Sequence, residues 1–183
     1  QEELTSGVQH IYSTDLAFAA VKADGSVVTW GSAGDGGDSE QVKEALTSGV
    51  QHIYSTFYAF AALKADGSVV TWGDADDGGD SEQVKEELTS DVQHIYSTQT
   101  AFAAVKTDGS VVTWGDPDYS EYGRGADYGG DSEQVKEALT NGVQHIYSTE
   151  GAFAAVKANG SVVTWGNADA GGDCGDANEA LER

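Results

Sequence analysis

The sequence predicts a mainly β protein with short helices, organised as four tandem strand-strand-strand-helix repeats in one domain over residues 1–183. Three observations predict it. Trp-Gly recurs at Trp30-Gly31, Trp72-Gly73, Trp114-Gly115 and Trp165-Gly166, with spacings of 42, 42 and 51 residues. The string V-Q-H-I-Y-S-T begins at Val8, Val50 and Val92 and again at Val143. A turn signal, Asp24-Gly25, Asp66-Gly67, Asp108-Gly109 or Asn159-Gly160, stands at the same phase of every unit. Such a period marks an architecture in which each unit buries its apolar face on the next. The units run over about residues 1–46, 47–88, 89–139 and 140–183.

The first unit serves for all four. Val8–Thr14 alternates and carries Val, Ile, Tyr and Thr, which suit a strand. Ala17–Ala23 is a second strand and Ser26–Trp30 the returning one, joined by Asp24-Gly25 as a two-residue type I′ turn. The alanines Ala17, Ala19 and Ala20 are poor strand formers, so their use implies close approach of sheets, with Phe18 and Trp30 supplying bulk. A Gly/Asp loop over Gly31–Gly37 follows. A short helix then starts at Asp38, which can cap it, with Gln41 three residues on as in a capping box. Val42, Ala45 and Leu46 share one face, and Gly49 can end the helix in the left-handed region. Burying Val42 and Leu46 is worth roughly 1.5–3 kcal/mol each, enough to dock so short a helix.

Gln1–Leu4 matches the tail of that helix and Asp173–Leu181 the whole of it. In a closed ring the last helix would cover the first unit. The alternative is an open, solenoid-like stack.

The string I-Y-S-T-x-x-A-F-A-A-V-K-A-D-G-S-V-V-T-W-G resembles the regulator-of-chromosome-condensation repeat family through nearly all of each unit up to Trp-Gly. The V-V-T-W-G…G-G-D-S pattern is also similar to repeats found in proteins of single-celled algae. The family resemblance implies β-propeller blades. The chain departs from it at Ser13-Thr14-Asp15-Leu16-Ala17, where the family has Gly-x-x-His, and at Gly36-Gly37-Asp38-Ser39, where the family has G-Q-L-G. No residue here matches the family's exchange-factor or chromatin roles. The algal resemblance implies an accessory subunit of a larger assembly, such as a photosystem contacted from the aqueous side, and so a chloroplast location (stroma or thylakoid lumen), with secretion as the alternative.

Lys and Arg total 9 against 31 Asp and Glu, a net charge of −22. That balance opposes nucleic-acid binding and docking on anionic lipid. It favours a solvated acidic surface, a basic partner or divalent cations. One cysteine, Cys174, permits no internal disulfide. No apolar run approaches the roughly 20 residues of a membrane span. The chain opens at Gln1 and holds no methionine, so it reads as a processed form or an excerpt.

Candidate sites lie where the units differ. The third carries nine extra residues within Asp116–Tyr128. There Tyr119, Tyr122, Arg124 and Tyr128 form a candidate partner-binding loop, since tyrosine and arginine dominate interface hot spots. Phe57 and Tyr58 join them, where other units have Asp15-Leu16, Gln99-Thr100 and Glu150-Gly151. Asp74, Asp76, Asp77 and Asp80 surround a glycine pair and are candidate calcium ligands, although their spacing matches neither the twelve-residue loop with a closing Glu nor the Gly-Gly-x-Gly-x-Asp nonapeptide. His10, His52, His94 and His145 recur on the first strand of each unit, beside Val and Tyr on one face, and would meet in a closed ring or form a ladder in an open one. Cys174 replaces a serine at a helix start, with no supporting base. No paired acid and base, nucleophile triad or phosphate loop is present. The expected function is a non-enzymatic scaffold for protein–protein interaction. The alternative is a calcium- or carbohydrate-binding module.

Overall fold

The computed structural model describes residues 6–115 and 128–174. The helical segments expected at Gln1–Leu4 and Asp173–Leu181 lie wholly or largely outside them. The chain divides into two compact units, Gln1–Val92 and Gln93–Arg183. The first holds β1 (Val8–Ser13), β2 (Ala17–Lys22) and β3 (Val27–Gly31), then β4 (Val50–Ser55), β5 (Ala59–Lys64) and β6 (Val69–Gly73). The second holds β7 (Val92–Ser97, starting at the boundary), β8 (Ala101–Lys106), β9 (Val111–Gly115), β10 (Val143–Ser148), β11 (Ala152–Lys157) and β12 (Val162–Gly166). They form four antiparallel three-stranded sheets, each in sequence order. The fold class is as the repeats imply: mainly β, with four β-propeller-like blades.

Register decides which side chains face which way. Phe18 pairs with Trp30, and Ala17, Ala19 and Val21 pair with Gly31, Thr29 and Val27. One face of the blade therefore carries Phe18, Ala20, Val28 and Trp30. The other carries the small residues Ala17 and Ala19 with Val21 and Val27. In each unit, the small face of one blade meets the aromatic face of the next. Ala17, Ala19 and Val21 form a core with Leu46, Val50, Ile53, Phe60, Ala62 and Trp72. Ala101, Ala103 and Val105 do the same with Leu139, Val143, Ile146, Phe153, Ala155 and Trp165. Alanine occupies a strand here because the neighbouring Phe and Trp need its missing volume.

Three local expectations are corrected. The hairpin is not a type I′ turn. Gly25 N–H donates to Lys22 O at 2.9 Å and Lys22 N–H to Ser26 O at 2.9 Å. That is a three-residue loop in which only the last residue, Gly25, has positive φ (+76°). Asp24 stays at negative φ because its Oδ1 accepts from both Ser26 N–H (3.0 Å) and Ser26 Oγ–H (2.6 Å).

The short helix is 3-10, not α, over Glu40–Val42, Glu82–Leu88 and Glu133–Leu139. Seven residues at the 3-10 rise span about 14 Å against about 10 Å in an α-helix, and so reach from one blade's last strand to the next blade's first. Asp38, Asp80 and Asp131 do cap these segments, accepting from Glu40, Glu82 and Glu133 N–H at 2.8–2.9 Å. Leu46, Leu88 and Leu139 dock them, each 2% exposed.

A β-bulge also separates Val8 from His10, with the same shift at Val50/His52 and Val143/His145. It puts His on the face of Tyr and turns Val to the opposite side with Ile, so the three do not share a face.

The hairpin aspartates give a pH prediction. Hydrogen bonds from Ser26, Ser68 and Ser110 hold the Asp24, Asp66 and Asp108 carboxyls below the usual value of 3.8. A lowered carboxyl contributes stability that is present above its unfolded pKa and lost as pH falls through the folded one. The fourth hairpin has Asn159, whose Oδ1 accepts from Ser161 N–H at 3.0 Å and does not titrate. An NMR titration below pH 4 should therefore shift the Ser26, Ser68 and Ser110 amides with their aspartates, while Ser161 stays put. Four amides moving together would refute the assignment.

Candidate interaction surface

Of the residues expected to bind a partner, Tyr119, Tyr122 and Arg124 lie outside the described residues. Phe57 and Tyr58 sit in the β4–β5 loop. Phe57 is 37% exposed and Tyr58 half-buried, their rings tilted at 57° with centroids 6.1 Å apart. Phe57 also holds the neighbouring blade, because its carbonyl accepts from Asp15 N–H at 3.0 Å. The loop is thus anchored by backbone while an aromatic ring faces solvent.

Tyr128 is half-buried and packs inside the second unit. Its carbonyl accepts from Thr98 Oγ–H at 2.8 Å. Its ring lies against Gly151, so close that a Cβ there would sit 3.1 Å from Tyr128 Cδ1. It packs one blade's loop onto the next, and fills space that Gly151 leaves.

The four aspartates are not gathered as a ligand set. Asp74 accepts from Asp76 N–H at 3.0 Å and Asp80 from Glu82 N–H at 2.8 Å, both capping backbone. Asp77 is buried, and its carbonyl accepts from Thr56 Oγ–H at 2.9 Å. Among the described residues no three His, Cys, Asp or Glu side chains converge to hold a metal ion. Turn chemistry accounts for Asp74 and Asp80.

The histidines of the second unit pack on tyrosines. His94 stacks obliquely with Tyr96, and Tyr96 meets His145 edge-on, with its hydroxyl 3.0 Å from His145 Nδ1. Burial pushes the Tyr96 phenol above its ordinary pKa. Cys174 stands where Ser39, Ser81 and Ser132 each share a 2.9 Å bond with Thr29, Thr71 and Thr113. That placement makes its position structural in the other three blades.

A groove of about 620 Å³ runs between the 3-10 segment at Gln134–Val135 and β12 at Val162–Trp165. A smaller one of about 270 Å³ lies at the equivalent Gln41–Val42 and Thr71–Trp72. The groove is therefore a property of the repeat rather than a unique pocket.

Sequence reasoning missed one patch. Ile11, Leu16 and Phe18 are 58%, 58% and 45% exposed, three large apolar side chains open on the first blade. Ile11 and Phe18 have the same type at equivalent positions in the other units, where they are buried, so identity alone could not single them out.

No protein-family model matches the chain, and no curated protein matches it. Solved structures do. The chain is similar to the CRINKLY WD40 ectodomain from the Arabidopsis thaliana receptor kinase ACR4, at 15% identity and TM-score 0.51, over 87% of this chain and 52% of that one. It is similar to human WBSCR16 at 16% identity and TM-score 0.51, over 91% of this chain and 49% of that one. It also matches Prp20p from Saccharomyces cerevisiae, a structure described with its binding properties to Gsp1p and histones. That match has 16% identity and TM-score 0.53, over 87% of this chain and 43% of that one. The chain therefore spans about half the length of the structures it matches. The likeness establishes an RCC1-like repeat fold of the β-propeller type.

Proposed function

We propose that this chain is a non-enzymatic repeat scaffold that binds another protein through the loops where its units differ. The observation that carries the reading is the Phe57–Tyr58 pair. The sheets beneath it are near-verbatim copies, yet here an aromatic ring faces solvent where other units place Asp15, Gln99 or Glu150. A repeat that needs no aromatic there for its own packing has one to spare for a partner. The net charge of −22 favours a partner with a basic surface. Prp20p, described with binding to Gsp1p and histones, shows the same repeat fold serving protein contacts.

The finer reading is an accessory subunit docked on a larger assembly. Resemblance to the algal repeats supports a photosynthetic membrane complex, contacted from its aqueous side in the chloroplast. Native fractionation of the source, following the chain by mass spectrometry, tests it. Co-migration with one large membrane complex is the expected result. A free, small species would overturn the docked-subunit reading.

The insertion supplies a sharper variant. Deleting Asp118–Ala126 should leave the circular dichroism spectrum and melting curve unchanged and abolish docking. Undiminished co-migration of the deleted form would remove the loop from the binding surface.

A further inference from the structure

Each blade has two faces, and among the described residues the aromatic side chains of the second, third and fourth blades are buried. Phe60, Phe102 and Phe153 are at most 1% exposed, and Ile53, Ile95 and Ile146 at most 3%. On the first blade the same face is open, with Phe18 45% and Ile11 58% exposed. The small faces show the reverse pattern. Ala19, Ala61 and Ala103 are fully buried, whereas Ala154 is half-buried and Tyr147 is 61% exposed. Among the described residues one face of each kind is left open, aromatic on the first blade and small on the fourth.

The chain itself shows what covers such faces. Phe60 lies over Gly36, so closely that a Cβ there would be 2.6 Å from its ring, and Trp72 Nε1–H donates to Gly36 O at 3.0 Å. Phe153 lies over Gly129 and Trp165 Nε1–H donates to Gly129 O at 3.2 Å. Tyr96 meets His145 through its hydroxyl, and Gln99 N–H donates to Glu150 O at 2.9 Å.

On the fourth and first blades the matching halves stand open among the described residues. Gly171 has the Gly36 conformation (φ +103° against +98°), yet a Cβ on it would meet nothing within 4 Å. Gly160 is open too, whereas its counterparts Gly25 and Gly109 abut the leading backbone of the next blade at 2.6 and 2.7 Å. Trp30 makes no indole hydrogen bond among the described residues.

We propose that a second copy of this chain docks head to tail, its fourth blade covering the first blade of its neighbour. The occupant is a copy of the chain because Ala152, Ala154 and Val156 repeat, residue for residue, the Ala17, Ala19, Val21 and Ala101, Ala103, Val105 surfaces that cover Phe60 and Phe153. The pairing seats Phe18 over Gly171 and joins Trp30 Nε1–H to Gly171 O. It brings Tyr147 OH to His10, and Glu150 N–H to Asp15 O. A contact between unlike faces propagates until it closes on itself. The inference stands apart from the scaffold reading, which concerns the loops.

Light scattering on the intact chain across a concentration series tests the pairing. The expected result is a mass above the monomer that grows with concentration. Phe18→Asp and Ala154→Arg each place a charge on one open face, and each alone should weaken association roughly a hundredfold or more. Mixing them should restore a one-to-one pair, because the first variant keeps its fourth blade and the second keeps its first. A monomeric wild type throughout the series would overturn the proposal, without recourse to any variant. So would association that survives both substitutions, or a mixture of the two folded variants that stays monomeric.

Discussion

Phe60→Ala is expected to lower the free energy of unfolding by roughly 3–5 kcal/mol, the range for deleting a fully buried phenyl ring. Phe60 is 0% exposed and stacks on Trp72 at 5.2 Å with 29° between planes. Its surroundings have little to relax with, since Ala17 and Ala19 opposite it hold no spare side chain and Gly36 meets it with backbone. The hole therefore stays open. Phe18→Ala is the internal control. Phe18 makes the same stack with Trp30, at 5.3 Å and 21°, but is 45% exposed. Its loss should cost about 1 kcal/mol or less in dilute solution. Urea unfolding of the two variants decides the matter, and equal costs would show that blade-on-blade burial does not hold the fold together.

Gly36→Ala is the second large effect, and it acts by crowding. Gly36 has φ +98°, where a Cβ costs about 1–2 kcal/mol in itself. The added methyl would also lie 2.6 and 2.7 Å from two ring carbons of Phe60. Phe60 is wedged in the core and cannot swing away, so overpacking adds roughly 1–3 kcal/mol. Gly171→Ala has the same backbone cost and no clash. In dilute solution the two variants should therefore differ by the crowding component alone. Thermal melts that place them together would mean that the Phe60 ring yields.

Much of this was legible from residues. The strands, the Trp-Gly register and the docking leucines follow from apolar pattern and repetition, and A-F-A-A correctly signalled close blade contact. The failures share a cause: each depended on geometry between neighbours. Asp24-Gly25 has the composition of two different turns, and only the serine two residues on selects between them. D-S-E-Q-V-K-E-A-L reads as an α-helix by propensity, yet it forms 3-10 turns docked by one leucine. A bulge between Val8 and His10 leaves no mark in composition, so His was assigned a face with Val that it does not share. The candidate site was less legible still. Phe57 and Tyr58 stood out because they break the repeat, whereas Phe18 and Ile11 keep to it. Their exposure is a matter of position in the array, which no local pattern records. Tyr128 stands out by composition, but only the absent side chain at Gly151 reveals what its ring packs on.

That last pair bears on how the chain finds its order. Near-identical blades are interchangeable in principle, so a folding chain can stack the wrong two and become trapped. Only a blade with glycine at the Gly151 position fits beneath Tyr128. The second blade has Tyr58 at that position, the third Thr100 and the first Leu16. Each brings at least the Cβ that Gly151 lacks, and that atom alone sits 3.1 Å from Tyr128 Cδ1. The third and fourth blades thus share a steric match that the other blades do not repeat, so crowding as well as attraction favours the native neighbours at that step.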